Sequence, residues 1–351
     1  MRLSEKPKKL LPYLKERDGY RLLLESNESF ISLPDEIRDK ISRAVRDVPF
    51  NLYPDPEALG VSRAVSELYG VPAECVVSGV GSDEIIYTLH NAFAFKNDAV
   101  LISEPDFFIY NVAANNAELK LLSVPKTNFE VNVDEIIETV KREKPAFVIF
   151  SNPCNPTGKG ISKEEVVRLY TSVDCPVVVD EAYMDFWDQS VLPDALSAEN
   201  VIVLRTCSKA LGCAGLRLGF AIANPELAGY IKRAKAPYNV NVLTQTAGEI
   251  LLRETEYRAK AIVTLQEATL DLYNKLMALS ERFPGVLKPM PTLTNFVLSE
   301  ANDSARIAAA LEARGILVRF WPGLLRISTG TLEQNEEFYQ EFADILEKGA
   351  Y

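Results

Sequence analysis

The sequence predicts an α/β protein with one large sheet covered by helices on both faces and a smaller α/β unit after it. Three observations predict this. Short apolar runs alternate with helical stretches from Cys75 to Ala223, the pattern of a sheet buried on both sides. Polar residues stand at or just past the ends of these runs, at Asn152, Asp180 and Lys209, where open α/β sheets gather their catalytic groups. A helical region from Thr244 to about Glu281 has no internal proline and leads into a second, shorter set of strands and helices.

Taken in order, residues 1–30 read as irregular, with Pro7 and Pro12, and end in Leu22-Leu-Leu-Glu-Ser-Asn-Glu28. Pro34 to Val48 reads as a helix. Asn51-Leu-Tyr-Pro-Asp-Pro56 reads as a loop, because its prolines fix φ and remove donors. A helix at Leu59–Tyr69 follows, then the strand Cys75-Val-Val-Ser78 and the turn Gly79-Val-Gly-Ser-Asp83, which opens a helix from Asp83 to Phe95. Further strands are expected at Ala99–Ser103, Leu119–Val124, Ala146–Ser151, Val177–Asp180, Val201–Arg205 and Phe220–Ala223. Helices between them are expected at Phe108–Asn115, Val133–Lys141 and Lys163–Thr171. Pro284 to Tyr351 reads as the smaller unit, with strands at Asn295–Ser299, Ile316–Phe320 and Leu325–Ser328 and a helix at Ser304–Arg314.

Composition narrows the function. The 351 residues are 47% hydrophobic, enough for a large core and a second one. A net charge of −11 argues against nucleic acid or an anionic membrane as partner. An anionic ligand must therefore be held by a local cluster of donors. No run approaches the ~18 apolar residues of a membrane span. Met1 to Lys9 is basic, but no apolar segment follows; the expectation is a leaderless, cytoplasmic chain. Cys75, Cys154, Cys175, Cys207 and Cys213 form no CxxC pair and read as free thiols, mostly buried filler. His90 is the only histidine, which argues against Ser-His-Asp and Cys-His catalysis and against a metal site. His90 lies in a helical pattern and reads as structural. Proton chemistry then falls to another residue, with lysine the natural candidate.

The segment Thr206-Cys-Ser-Lys-Ala-Leu-Gly-Cys-Ala-Gly-Leu-Arg-Leu-Gly219 follows the apolar Val201-Ile-Val-Leu204. Its glycines let backbone approach a ligand closely. Lys209 has two readings here: a surface lysine in a turn, or a nucleophile that joins a carbonyl cofactor as a Schiff base. Thr206, Ser208 and Arg217 are donors suited to a phosphate. The turn Gly79–Asp83 at a helix start is either a phosphate cradle or a capped strand-to-helix turn. Asp180 alone could be a turn former. Three such sites of matched polarity, each after a buried strand, point to one constellation.

Asn152-Pro-Cys-Asn-Pro-Thr-Gly158, Asp180-Glu-Ala-Tyr183 and Ser208-Lys-Ala with Gly215-Leu-Arg217 resemble the signature of fold-type I pyridoxal-5′-phosphate (PLP) enzymes. Within them the chain is most similar to the histidinol-phosphate aminotransferases, through Tyr53-Pro-Asp-Pro56, Gly81-Ser-Asp-Glu84, Leu204–Ala210, Pro237-Tyr-Asn-Val-Asn241 and Leu325–Gly330. The resemblance implies the three-layer aspartate aminotransferase-like fold, with a mixed, mostly parallel central sheet and a smaller C-terminal α/β domain. It implies an N-terminal arm (1–30) packed with the small domain, a PLP-binding domain (31–265) and a small domain (266–351). It implies ping-pong transamination between histidinol phosphate and 2-oxoglutarate, giving glutamate, through a Lys209 aldimine. Lys209 would then act as acid–base, Asp180 would pair with the pyridinium nitrogen, and Tyr183 and Asn152 would bind the ring phenolate oxygen. Phe107 would stack on the ring, and Ser82, Asp83, Thr206, Ser208 and Arg217 would hold the phosphate. Tyr53 would reach the phosphate of the neighbouring subunit in a homodimer with shared sites. Tyr13, Asn27, Asn152, Arg319 and Arg326 match substrate-side positions. The chain departs from the family pattern in two places: Ser29-Phe30 replaces Asn-Pro, and Arg319 is joined to Arg326 by a short Phe-Trp-Pro-Gly connection. An aromatic amino-acid aminotransferase and a phosphothreonine-type decarboxylase share the scaffold. The presence of Lys209 argues against a non-catalytic module.

Overall fold

The computed structural model describes residues 17–349 and 351. Its elements begin with β1 (Leu22–Leu24), α1 (Asp35–Arg46), α2 (Leu59–Tyr69), β2 (Val76–Gly79), α3 (Gly81–Phe93), β3 (Ala99–Glu104), α4 (Ile109–Asn116) and β4 (Lys120–Pro125). They continue through α5 (Val133–Glu143), β5 (Phe147–Ser151), α6 (Lys163–Thr171), β6 (Val177–Asp180), α7 (Leu192–Ala195), β7 (Val201–Thr206), β8 (Gly219–Ala223), α8 (Pro225–Ala234), α9 (Val242–Arg253) and α10 (Thr255–Arg282). The last are β9 (Leu287–Pro289), β10 (Phe296–Ala301), α11 (Ser304–Glu312), β11 (Ile316–Trp321), β12 (Leu324–Ser328) and α12 (Leu332–Glu347).

The large sheet has the order β2-β8-β7-β6-β5-β3-β4. β8 runs against both of its neighbours, and the remaining pairings are parallel. Residues along β6 and β7 alternate between two apolar clusters. Val177, Val179, Val201 and Val203 pack on one face; Val178, Ile202 and Leu204 pack on the other. Burial on both faces is why these strands read as unbroken apolar runs. The same alternation sends Asp180 and Thr206 to one face, and Glu181 and Arg205 to the other. Because β6 pairs with both β5 and β7, the loops carrying Asn152, Asp180 and Lys209 emerge side by side.

The small sheet has the order β1-β11-β12-β10-β9. Its core joins Leu272, Leu276 and Leu279 of α10 to Phe338 and Phe342 of α12, with Leu22 and Leu24 of β1. Residues 1–30 are therefore not all irregular: β1 pairs in parallel with Ile316–Val318 of β11. Three residues carry too short a pattern to be read locally, and their ladder partner lies far along the chain. The expected single helix from Thr244 is two, parting at Glu254 with φ −81° and ψ 63°. Neither proline nor glycine marks the break. Glu254 instead accepts a hydrogen bond from Lys40 of α1 at 2.7 Å. α9 packs on α1 and α2, whereas α10 turns toward α12 and β9. α12 carries a capping box between Thr331 and Gln334, a signal that was present in the sequence.

Candidate active site

Asp180 ends β6 and is 3% exposed. The Tyr110 hydroxyl donates to its Oδ2 at 2.8 Å, and the Ala182 N–H to its Oδ1 at 3.0 Å. Burial pushes the carboxyl up to about 7, and both hydrogen bonds pull the other way. A fixed, buried carboxyl of this kind is a partner for a basic ring nitrogen. Sequence reasoning missed Tyr110. The available signal was spacing: Tyr110, Ala113 and Ala114 form the buried face of α4. Phe107 stands edge-on to Tyr110, with ring centroids 5.7 Å apart.

Lys209 Nζ donates to the carbonyls of Ser26 and Asn27 at 3.2 and 3.3 Å. It also sits 5.7 Å from the centre of the Tyr183 ring. The Tyr183 hydroxyl accepts from Asn27 Nδ2 at 2.9 Å. Asn27 is held at φ +54°, with its N–H donating to Ser328 Oγ at 2.8 Å and its Oδ1 accepting from that hydroxyl at 2.9 Å. Lys209, Tyr183 and Asn27 thus meet where the segment after β1 crosses the strand ends. Asn152 is bound to Ile161, accepting from its N–H at 2.9 Å and donating to its carbonyl at 3.1 Å. That leaves the second proton of the Asn152 amide for another acceptor.

The phosphate-type donors form a second group. α3 begins at Gly81 rather than Asp83, so Ser82 and Asp83 lie in its first turn, where N–H groups lack intrahelical partners. Gly81 has φ +74°, and a Cβ there would stand 2.5 Å from Arg217 Nη2. Arg217 Nη2 donates to Asp83 Oδ2 at 2.9 Å. Thr206 Oγ1 accepts from the Ser208 N–H at 3.1 Å and donates to Ser208 Oγ at 3.0 Å. Hydroxyls, a guanidinium and a helix N-terminus around a backbone stripped of Cβ atoms suit a phosphate. With Asp180 and Lys209, the donor set fits a flat cofactor bearing an aldehyde, a basic ring nitrogen and a phosphate.

Two buried ion-pair networks brace these loops, and neither was read from the sequence. Lys126 pairs with Asp106 at 3.0 Å, both side chains being sealed from solvent, and also donates to the carbonyls of Ser103 and Pro105. Burial pulls Lys126 down, but Asp106 and Cys154 together outweigh it and hold the ammonium above its ordinary value. Asp106 in turn accepts from the N–H and hydroxyl of Ser151, tying the Phe107 loop to the Asn152 loop. On the opposite face, Arg205 pairs with Glu181 at 2.7 Å and with Asp185 at 3.2 Å. Arg258 of α10 joins Asp185 at 2.5 Å. The Tyr69 ring lies 5.1 Å from the Arg205 guanidinium and 5.6 Å from that of Arg258.

Arg326 is linked through Phe296 to the Lys209, Tyr183 and Asn27 group. It is buried, with Nη1 donating to Asn155 Oδ1 and Nη2 to the Glu25 carbonyl, each at 2.5 Å. Its guanidinium lies 5.2 Å from the Phe296 ring, and Phe296 meets the Tyr183 ring edge-on at 5.4 Å. Arg319 is its direct cross-strand partner. Tyr53 is not brought in: it is 82% exposed and stacks on Tyr238 at 4.6 Å. Tyr13 lies outside the described residues. His90 is buried, bonded through Nδ1 to the Ile86 carbonyl at 2.8 Å, and burial holds its pKa low, as a structural histidine requires. All five cysteines are free, and three of them are buried.

A family profile described as aminotransferase class I and II matches residues 21–342. The chain belongs to that family of enzymes, as the resemblance of its motifs to PLP-dependent aminotransferases implied. It is 38% identical to a histidinol-phosphate aminotransferase of Clostridium kluyveri, over 96% of this chain and 97% of that one. Its fold matches the crystal structure of a Sinorhizobium meliloti histidinol-phosphate aminotransferase in complex with pyridoxal-5′-phosphate. The TM-score is 0.89 and the identity 21%, over 99% and 98% of the two chains. It also matches an L-threonine-O-3-phosphate decarboxylase of Porphyromonas gingivalis, with TM-score 0.79 and 22% identity, over 93% and 99%. At that identity the likeness is one of fold. No helix among the described residues is long and apolar enough to cross a membrane.

Proposed function

We propose that this chain is a PLP-dependent aminotransferase that moves the amino group of histidinol phosphate to 2-oxoglutarate, giving glutamate, in histidine biosynthesis in the cytoplasm. The observation that carries the reading is the buried Arg326, paired across strands with Arg319 beside a pocket that holds Lys209, Tyr183 and Asn27. The Clostridium kluyveri relative supports the same donor by its name.

When bound, PLP supplies an electron sink for the bond to the donor's α-carbon. Asp180 keeps a proton on the ring nitrogen, and Tyr110 holds that carboxyl in place. Lys209 tethers the cofactor, then carries a proton at Nζ. Tyr183 and Asn152 bind the phenolate oxygen, and Phe107 covers one ring face. Ser82, Asp83, Thr206, Ser208 and Arg217 hold the cofactor's phosphate. Arg326 takes the donor's phosphate, as a guanidinium fork suits either a phosphate or a carboxylate; Arg319, Asn27 and Tyr13 are the other substrate-side residues that the family resemblance implies.

The same reading divides the chain into an arm (1–30), a PLP-binding unit (31–265) and a small unit (266–351). Separate sheets and separate cores support the division. It also makes the active unit a homodimer in which Tyr53 reaches the partner's cofactor phosphate. The exposed Phe50, Leu52 and Tyr53 support this, since clustered apolar exposure marks an interface.

The test is a panel of amino donors with PLP and 2-oxoglutarate on purified protein, following glutamate and CO2. Glutamate formed fastest from histidinol phosphate supports the proposal. CO2 release from phosphothreonine without glutamate, or a preference for aromatic amino acids, overturns it.

A further inference from the structure

The connection from β11 to β12 is only Pro322 and Gly323, with Gly323 at φ +78°. Proline followed by a left-handed glycine is type II turn chemistry. The turn pairs Trp321 with Leu324 and sets Arg319 opposite Arg326. Alternation then puts Arg319, Trp321 and Arg326 on one face of the hairpin, while Phe320 points the other way and is 46% exposed. Like charges directly opposite one another on a sheet repel. Here the Trp321 indole lies against both guanidiniums, 5.8 Å from Arg319 and 5.7 Å from Arg326. Phe296 also packs on the Arg326 guanidinium, at 5.2 Å. Aromatic faces attract both cations and offset the repulsion; Arg326 Nη1 and Nη2 donate to Asn155 Oδ1 and the Glu25 carbonyl, so an incoming anion competes with these acceptors for the N–H edges.

We propose that Trp321 sets the preference of this pocket for a phosphate-bearing donor, by holding Arg319 beside Arg326 so that both guanidiniums address one anion. It acts through the arginines and is a positioning residue. The inference rests on the proposed donor class and adds the residue that enforces it.

The test uses the PLP-loaded enzyme, whose cofactor cradle is filled, with the variants Trp321→Leu and Trp321→Phe. Two quantities are measured: calorimetric affinity for inorganic phosphate, and kcat and KM with histidinol phosphate and with histidinol. Trp321→Leu is expected to weaken phosphate binding and raise KM for histidinol phosphate by about tenfold, the scale of losing desolvated cation–π contacts. kcat, and all constants with histidinol, should stay near wild type, and Trp321→Phe should restore most of the loss. Trp321→Met, also without a π face, replaces Trp321→Leu if the latter misfolds. Unchanged phosphate affinity in Trp321→Leu, or equal damage in Trp321→Phe, overturns the proposal. A wild type that binds phosphate but does not prefer histidinol phosphate, with binding lost in Trp321→Leu, overturns the donor reading and supports the role of Trp321. A wild type that binds no phosphate overturns both.

Discussion

Asp180 on the floor of the pocket and Arg326 on its wall are both buried charges, but they are held differently. Asp180 is fixed by hydrogen bonds from Tyr110 and the Ala182 N–H, at the end of a strand paired in parallel on both sides. Arg326 donates to Asn155 Oδ1 and the Glu25 carbonyl and is held besides by aromatic faces at Phe296 and Trp321, on an antiparallel hairpin of the small sheet. A buried carboxyl whose pKa is raised suits a basic ring, and two neighbouring guanidiniums suit an anion; on the proposed reading the floor keeps a resident cofactor and the wall an anion that comes and goes. Directional hydrogen bonds serve both regions, and the wall adds broad aromatic contacts, which tolerate small shifts.

The comparison can be broken most severely at Lys209, which the reading makes both tether and proton carrier. Lys209→Ala should lower kcat by on the order of 10³-fold or more, and borohydride should no longer fix PLP to the chain. Retained labelling and turnover would place Lys209 outside the chemistry.

Asp180→Asn should cost on the order of 10²-fold in kcat, as expected for removing one preorganised charge from the site. The cofactor-free protein gives an independent check through pH. The Asp180 carboxyl sits at about 7 when folded, against an ordinary value of 3.8. Below about pH 4 it is protonated in both states, and ionisation costs nothing. Between these values the folded state binds more protons, so stability falls as pH rises, and the loss is complete above about 7. Thermal melts should show Asp180→Asn matching wild type near pH 4 and exceeding it at pH 8. The opposite trend would mean that the carboxylate already has a cation.

Lys126→Met sharpens the comparison by loosening the floor first. It leaves Asp106 buried without its cation, which should cost about 3–5 kcal/mol of stability, read by urea unfolding. PLP should also be released faster, because Asp106 ties the Phe107 loop to Ser151. Phosphate affinity at the wall should fall less than cofactor retention, since Asn155 links the two regions by donating to Ser151 Oγ and accepting from Arg326. A wall that weakens equally would show that the two regions are not independent.

Tyr53→Phe is the mildest test. It removes one hydroxyl from a ring that is 82% exposed in the single chain. PLP retention should fall by a few-fold, about the worth of one hydrogen bond, while sedimentation still reports a dimer. Full activity in isolated monomers would remove Tyr53 from the site.

The floor was largely legible in the sequence, and the wall only in part. Asn152, Asp180 and Lys209 each follow an apolar run, and parallel strands align the ends of such runs, so local pattern was enough to group them. Tyr110 was hidden because a buried tyrosine on a helix face looks like core until its hydroxyl finds Asp180. Lys126 and Asp106 pair just past the ends of β4 and β3, a contact that no local period announces. The β1 strand and the break at Glu254 were missed for the same reason: the partners that decide them, β11 and Lys40, are remote. On the wall, Arg319 and Arg326 stood out as charges, but Trp321 gained meaning only from the hairpin register.

The most direct measurement is the ratio of kcat/KM for histidinol phosphate to that for histidinol, in wild type and in Arg326→Gln. The account predicts a strong preference for the phosphorylated donor in wild type. It predicts a loss of about 3–5 kcal/mol in Arg326→Gln on that donor, the scale of breaking a buried charged contact, with histidinol little affected. Equal losses on both donors, or a wild type that does not discriminate between them, would contradict it.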